Sequence, residues 1–154
     1  MDASDAALRV ALTEALAGPE GEYAAQEIYR AIIKKHGAVL PYANIIRAEG
    51  RHIEALKLQF QKYGLPIPEN THAGKVASPE SLGEAARQGV ESEKANVAMY
   101  DRLIDKVKAY PDVVAVFQNL QRASRDNHLP AFESAVQGGG TCQKGRGKGA
   151  GRAR

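Results

Sequence analysis

A glutamate and a histidine three residues apart, Glu49 and His52, are the side chains of this 154-residue sequence best spaced to do chemistry together. On a helix they lie about 60° apart around the axis and one turn apart along it, so both can reach one ion. A carboxylate oxygen and a neutral imidazole nitrogen on one face are what a carboxylate-bridged metal site requires of a single helix. A lone Glu-x-x-His is common on helical surfaces by chance. Its surroundings give it weight, because they occur twice.

Glu22-Tyr23-Ala24 is followed by Tyr29, and Glu93-Lys94-Ala95 by Tyr100, each tyrosine seven residues after its glutamate. Seven residues is two helical turns, so each tyrosine shares a stripe with its glutamate. Arg47-Ala48-Glu49-Gly50-Arg51-His52-Ile53-Glu54-Ala55-Leu56 likewise matches Arg122-Ala123-Ser124-Arg125-Asp126-Asn127-His128-Leu129-Pro130-Ala131-Phe132. The second copy keeps the Arg-Ala entry and the His-apolar-x-Ala-apolar exit, with one residue more between them. The two halves read as a duplicated helical hairpin.

With these segments the chain resembles the ferritin-like superfamily, whose members such as bacterioferritin and rubrerythrin bind two metal ions inside a four-helix bundle. It looks closest to a branch of small, uncharacterised ferritin-like domain proteins, over roughly residues 10 to 136. The resemblance implies that Glu22 and Glu93 are the single glutamates of the first and third bundle helices. It makes Glu49 and His52 the Glu-x-x-His pair of the second, and His128 the histidine of the fourth. It also implies an all-α fold of two antiparallel hairpins joined by a long crossover connection.

The fourth helix departs from that pattern. Arg125, three residues before His128, cannot ligate a cation. If the extra residue is absorbed as a π-bulge, Ser124 stands where Glu49 stands in the other half, and Pro130, lacking a backbone donor, favours such irregularity. Asp126 is the alternative, although on a regular helix it lies roughly 200° from His128. Taken singly, Glu22 and Glu93 read as solvated residues and His52 and His128 as core histidines; recurrence in both halves points instead to a shared centre. Tyr29 and Tyr100 are either core aromatics or hydrogen-bond donors to a bridging glutamate. His36 and His72 are given no role.

The elements that must position these groups follow from apolar spacing. Leu8, Leu12, Ala15 and Leu16, then Ala25, Ile28, Tyr29, Ile32 and Ile33, have helical periodicity, with Gly18-Pro19 marking a short leading helix or a kink. Lys34, Lys35 and His36 before Gly37 form a helix end. A second helix runs from Pro41 to Lys62 and is closed by Gly64, and residues 65–77 form a long connection. Ser78 is expected to cap the third helix, which extends through Val107, and Asp112 the fourth, which fades near Val136. The domain therefore spans residues 4–136.

Residues 137–154 hold seven glycines together with Lys144, Arg146, Lys148, Arg152 and Arg154 and no acid. This segment is expected to be disordered. Without those five cations, 16 basic residues face 18 acidic ones, so the net charge of +3 belongs to the tail. The tail lacks aromatics for base stacking, so nucleic acid is not the expected partner. A solubilising or expression-derived tail is. No apolar run reaches eighteen residues and no basic-then-apolar start is seen, so no membrane partner and a cytoplasmic location are expected. Homo-oligomerisation is left open.

The single cysteine, Cys142, excludes an intramolecular disulfide and any cysteine-based zinc or iron–sulfur site. A metal held by oxygen and imidazole alone is expected to be iron or manganese, with redox-inactive zinc as the alternative. The expected chemistry is oxidoreduction of a metal pair with oxygen or peroxide. The peroxide-reducing members of the superfamily often carry a four-cysteine electron-transfer domain, so the electron donor here would be another protein or a small molecule. The rival expectation is a metal-free helical interaction module.

Overall fold

The computed structural model describes residues 2–142, which contain six α-helices, one π-helical turn and no strand. In chain order these are α1 (Ala3–Ala17), α2 (Glu22–His36), α3 (Tyr42–Lys62), α4 (Leu82–Lys106), α5 (Pro111–Ala123), the π turn (Ser124–His128) and α6 (Leu129–Gln137). Helix α2 pairs with α3, and α4 pairs with the continuous rod formed by α5, the π turn and α6. Helix α1 packs on α2, α3 and α4.

The break at Gly18-Pro19 produces a separate leading helix. A Cβ on Gly18 would stand 2.5 Å from the Glu14 carbonyl oxygen, and one on Gly21 2.6 Å from that of Ala15. Only glycine permits so close a return of the chain. The turn delivers Glu22 as the first residue of α2, where the helix dipole favours a carboxylate. At the far end Lys34, Lys35 and His36 complement the carbonyl terminus, and Gly37 takes φ +91° while its N–H reaches the Ile33 carbonyl.

Two expected caps are corrected. Helix α4 is capped by Ser81, whose Oγ accepts from the Glu84 N–H at 3.1 Å, and not by Ser78, whose hydroxyl bonds to the Pro79 carbonyl. Asp112 does not cap α5, because the helix already begins at Pro111. Asp112 accepts instead from Lys62 Nζ at 2.6 Å and from the Tyr63 hydroxyl at 2.7 Å, tying α5 to the end of α3. The connection after α3 is pinned by His72, which meets the Ala17 carbonyl, and His36 meets that of Pro79, both at 3.0 Å.

The first residues of the segment expected to be disordered fold back onto the body. The Cys142 N–H donates to the Leu40 carbonyl at 2.9 Å, and the Tyr42 hydroxyl donates to the Gly140 carbonyl at 2.8 Å. The glycines there allow the sharp reversal after α6, Gly139 and Gly140 both having positive φ. The expectation for 143–154 lies outside the described residues. No helix among the described residues is long and apolar enough to cross a membrane.

Two apolar clusters fill the interior. One holds Leu12, Tyr23, Leu56, Phe60, Met99 and Phe117, and the other Tyr29, Ile32, Tyr42, Ile45, Ala85 and Phe132. Along α3 the order is Ile45, then Glu49 and His52, then Leu56; along the α5–α6 rod it is Leu120, then Ser124 and His128, then Phe132. A polar layer thus lies between two dry plugs.

Candidate metal centre

The polar layer consists of Glu22 on α2, Glu49 and His52 on α3, Glu93 on α4 and His128 at the end of the π turn. The three glutamates are each 1% exposed, His128 4% and His52 8%. All five residues singled out in the sequence therefore meet in one buried place. They form two groups that could each hold a metal ion, Glu22–Glu49–His52 and Glu49–Glu93–His128, and Glu49 belongs to both.

Glu49 divides its oxygens between the halves. Oε2 lies 3.3 Å from His52 Nδ1 and Oε1 3.3 Å from His128 Nδ1. His128 Nδ1 also lies 3.0 Å from Glu93 Oε1, and His52 Nδ1 3.6 Å from Glu22 Oε2. The two imidazoles stack with centroids 5.4 Å apart and planes 17° from parallel. The two groups are alike in composition, each an outer glutamate and a histidine sharing Glu49.

The tyrosines cross between halves. Tyr29 donates to Glu93 Oε2 at 2.5 Å and Tyr100 to Glu22 Oε1 at 2.6 Å, so each holds the outer glutamate of the opposite half rather than the central Glu49. Burial, then the adjacent carboxylates, push both phenols well above their ordinary pKa. They stay protonated and remain donors.

The π turn sets the α5–α6 rod in register. The Leu129 N–H reaches back to the Ser124 carbonyl, five residues away, and absorbs the one-residue excess of the second copy. Pro130 lacks the N–H that a regular helix would place on Asp126. Ser124 takes the place matching Glu49 and is 1% exposed. Asp126 points outward, paired with Arg125 at 2.9 Å, and takes no part. Sequence reasoning missed Asn96, which accepts from the Ser124 hydroxyl at 2.9 Å and donates to the Glu20 carbonyl at 3.0 Å. The repeat carried a signal for it: three residues after Glu93 stands Asn96, where Ala25 stands three residues after Glu22.

The charges are arranged for mutual neutralisation. Burial, then the charge of Glu49, pushes the Glu22 carboxyl up to about 7. Burial also works to raise Glu49, but the two histidines and Glu22 outweigh it and hold Glu49 below its ordinary value. Burial disfavours both imidazoliums, yet the carboxylates prevail and raise His52 to about 10 and His128 to about 9.

Three buried atoms of the centre have no hydrogen bond: Glu22 Oε2, Glu49 Oε2 and His52 Nδ1. All belong to one of the two groups. Two carboxylate oxygens and an imidazole nitrogen, buried and converging, form a donor set that could hold a metal ion.

An all-helical domain with a buried layer of three carboxylates and two imidazoles, arranged in two groups that could hold metal, defines the class. The chain belongs to the family described as the uncharacterized protein domain DUF2202, which matches residues 16–146. It is similar to uncharacterized protein MJ0754 of Methanocaldococcus jannaschii, with 27% identity over 128 residues, 73% of this chain and 68% of the relative. The crystal structure of hypothetical protein MJ0754 from Methanococcus jannaschii is similar in fold. Its TM-score is 0.74 at 25% identity, covering 88% of this chain and 82% of that one.

Proposed function

We propose that the chain is a ferritin-like metalloprotein, a four-helix bundle whose hairpins are α2 with α3 and α4 with the α5–α6 rod, joined by the crossover after α3. The functional unit is the helical body, residues 4–136. Glu22, Glu49 and His52 hold one metal ion, and Glu49, Glu93 and His128 hold a second. Glu49 is the shared ligand. The observation that carries this reading is the convergence of three orphaned buried atoms, Glu22 Oε2, Glu49 Oε2 and His52 Nδ1, on one point.

Iron or manganese suits this donor set best, with zinc as the redox-inactive alternative. When bound, a reduced metal pair supplies electrons to oxygen or peroxide, and an external protein or small molecule restores them. The chain's own residues hold and shield the centre. Tyr29 and Tyr100 fix the outer glutamates, the apolar layers on either side exclude water, and the histidines release their protons as metal enters.

Metal-stripped protein titrated anaerobically with iron(II), with bound metal and oxygen uptake measured, tests the reading. Two equivalents bound and oxygen consumed on exposure to air are expected. Folded protein that takes up under a tenth of an equivalent would refute the metal site and leave the helical interaction module. The satisfied pairing of His128 with Glu93 is the observation favouring that rival.

A further inference from the structure

The crossover after α3 is tied to the helical body by four side chains. Tyr23 donates to the Pro68 carbonyl at 3.0 Å and Asn70 to Glu27 at 3.1 Å, while His72 meets the Ala17 carbonyl and His36 that of Pro79, both at 3.0 Å. Between these ties, residues 73–78 make no hydrogen bond to α1 or α2. The span stands off α2 and forms with it a cavity of about 570 Å³. Small-molecule sites are commonly of this size, about 300–1,000 Å³.

The α2 wall of the cavity is built around a buried carboxylate. Glu27 is 5% exposed and accepts from Arg30 Nε at 3.2 Å as well as from Asn70. The guanidinium is thus held by its Nε edge, and neither Nη atom of Arg30 has a partner among the described residues. Lys34 stands one turn further along the same face and, among the described residues, makes no ion pair or hydrogen bond. Lys35, by contrast, pairs with Glu80 at 2.9 Å. The lining therefore sets three cations, Arg30, Lys34 and Lys35, against two carboxylates, Glu27 and Glu80, a surplus of one positive charge. Ala31, Val76 and Ala77 add apolar surface beside it.

We propose that this cavity binds a small organic phosphate monoester. The phosphate accepts from the free Nη edge of Arg30 and from Lys34 Nζ, and the carbon body of the ester lies on Ala31, Val76 and Ala77. A carboxylate is filled by the guanidinium fork alone, whereas a phosphate has three oxygens and close to two negative charges, enough for the fork and the ammonium together. Because Glu27 holds Arg30 in place beforehand, little side-chain freedom is lost on binding. The site lies outside the polar layer and does not depend on the metal reading.

Isotope-labelled full-length protein, titrated with phenyl phosphate and followed by its amide chemical shifts, tests the assignment. One saturable site is expected, with the shifts centred on Arg30, Lys34, Val76 and Ala77. Inorganic phosphate and benzoate each carry part of the recognised chemistry and should bind about tenfold more weakly. Lys34→Gln should weaken phenyl phosphate about tenfold, and Lys34→Arg should keep it. Ala77→Trp fills the cavity from an exposed position on the crossover and should abolish binding. Lys108→Gln, at an exposed lysine outside the cavity, should change nothing. No saturable shift at millimolar phenyl phosphate would overturn the proposal. So would inorganic phosphate or benzoate binding as tightly as the ester, a Lys34→Gln variant no weaker than Lys108→Gln, or undiminished binding in Ala77→Trp.

Discussion

Glu49→Gln is the perturbation that asks most of the centre, because it keeps the shape of the shared ligand and removes its charge. Glu49 stands 3.3 Å from both imidazoles at 1% exposure. Removing one member of a buried charge cluster costs about 3–5 kcal/mol. The histidines can shed protons to relieve the loss, so the low end, about 3 kcal/mol, is expected near pH 6. The cost depends on pH with a definite sign. His52 and His128 have folded pKa values of about 10 and about 9 against an ordinary 6.5, so their contribution is complete below 6.5 and lost as pH rises through 9 and 10. Glu49 is shifted downward, so its share is present above its ordinary value of 4.5 and lost as pH falls below that. Urea unfolding of metal-stripped wild type and variant should therefore show a difference that is large at pH 6 and shrinks by pH 10. A difference under about 1 kcal/mol at pH 6, or one flat across this range, would refute the charge arrangement.

Tyr29→Phe and Tyr100→Phe each remove one donor to a buried carboxylate, and each should cost about 1.5–3 kcal/mol in chemical unfolding. The two losses should be alike, because each phenol makes one short buried bond to an outer glutamate; a change in only one variant contradicts the crossed pairing. Gly89→Ala would put a Cβ 2.5 Å from the Phe132 ring and should destabilise by about 1–3 kcal/mol. Gly50→Ala meets nothing nearer than Gln26 Nε2 at 3.7 Å and should instead stabilise by about 0.5–1 kcal/mol, read from the same unfolding curves. The pH dependence carried by the histidines can also be read thermally. Metal-free wild type should melt lower at pH 10 than at pH 6, and protein whose histidines are already deprotonated by bound metal should lose that dependence.

The layer that matters was legible because duplication turns weak signals into paired ones. A glutamate at Glu22 or a histidine at His128 says little alone, but equal spacing in two copies fixed which side chains share a face, and the surplus residue before His128 pointed to the π turn. Partners across helices were not legible. Tyr29 shares a stripe with Glu22, yet it bonds Glu93, because the stripe says which way a side chain faces and not which neighbouring helix meets it. Asn96 was not legible, because a repeat displays its matches and the meaning of Asn96 lies in a mismatch with Ala25. The caps were misread for a local reason: Ser78 and Asp112 have the right types for capping, but Ser81 stands nearer the first hydrogen-bonded turn of α4 and Pro111 starts α5 before Asp112 is reached.

Crystals grown with manganese(II), measured for anomalous scattering at a wavelength where that ion responds, bear most directly on the shared-ligand arrangement. Two peaks about 3.5–4 Å apart are expected, each against a different oxygen of Glu49, one beside Glu22 and His52 and the other beside Glu93 and His128. Density at full manganese occupancy elsewhere on the surface, with none touching Glu49, would contradict it.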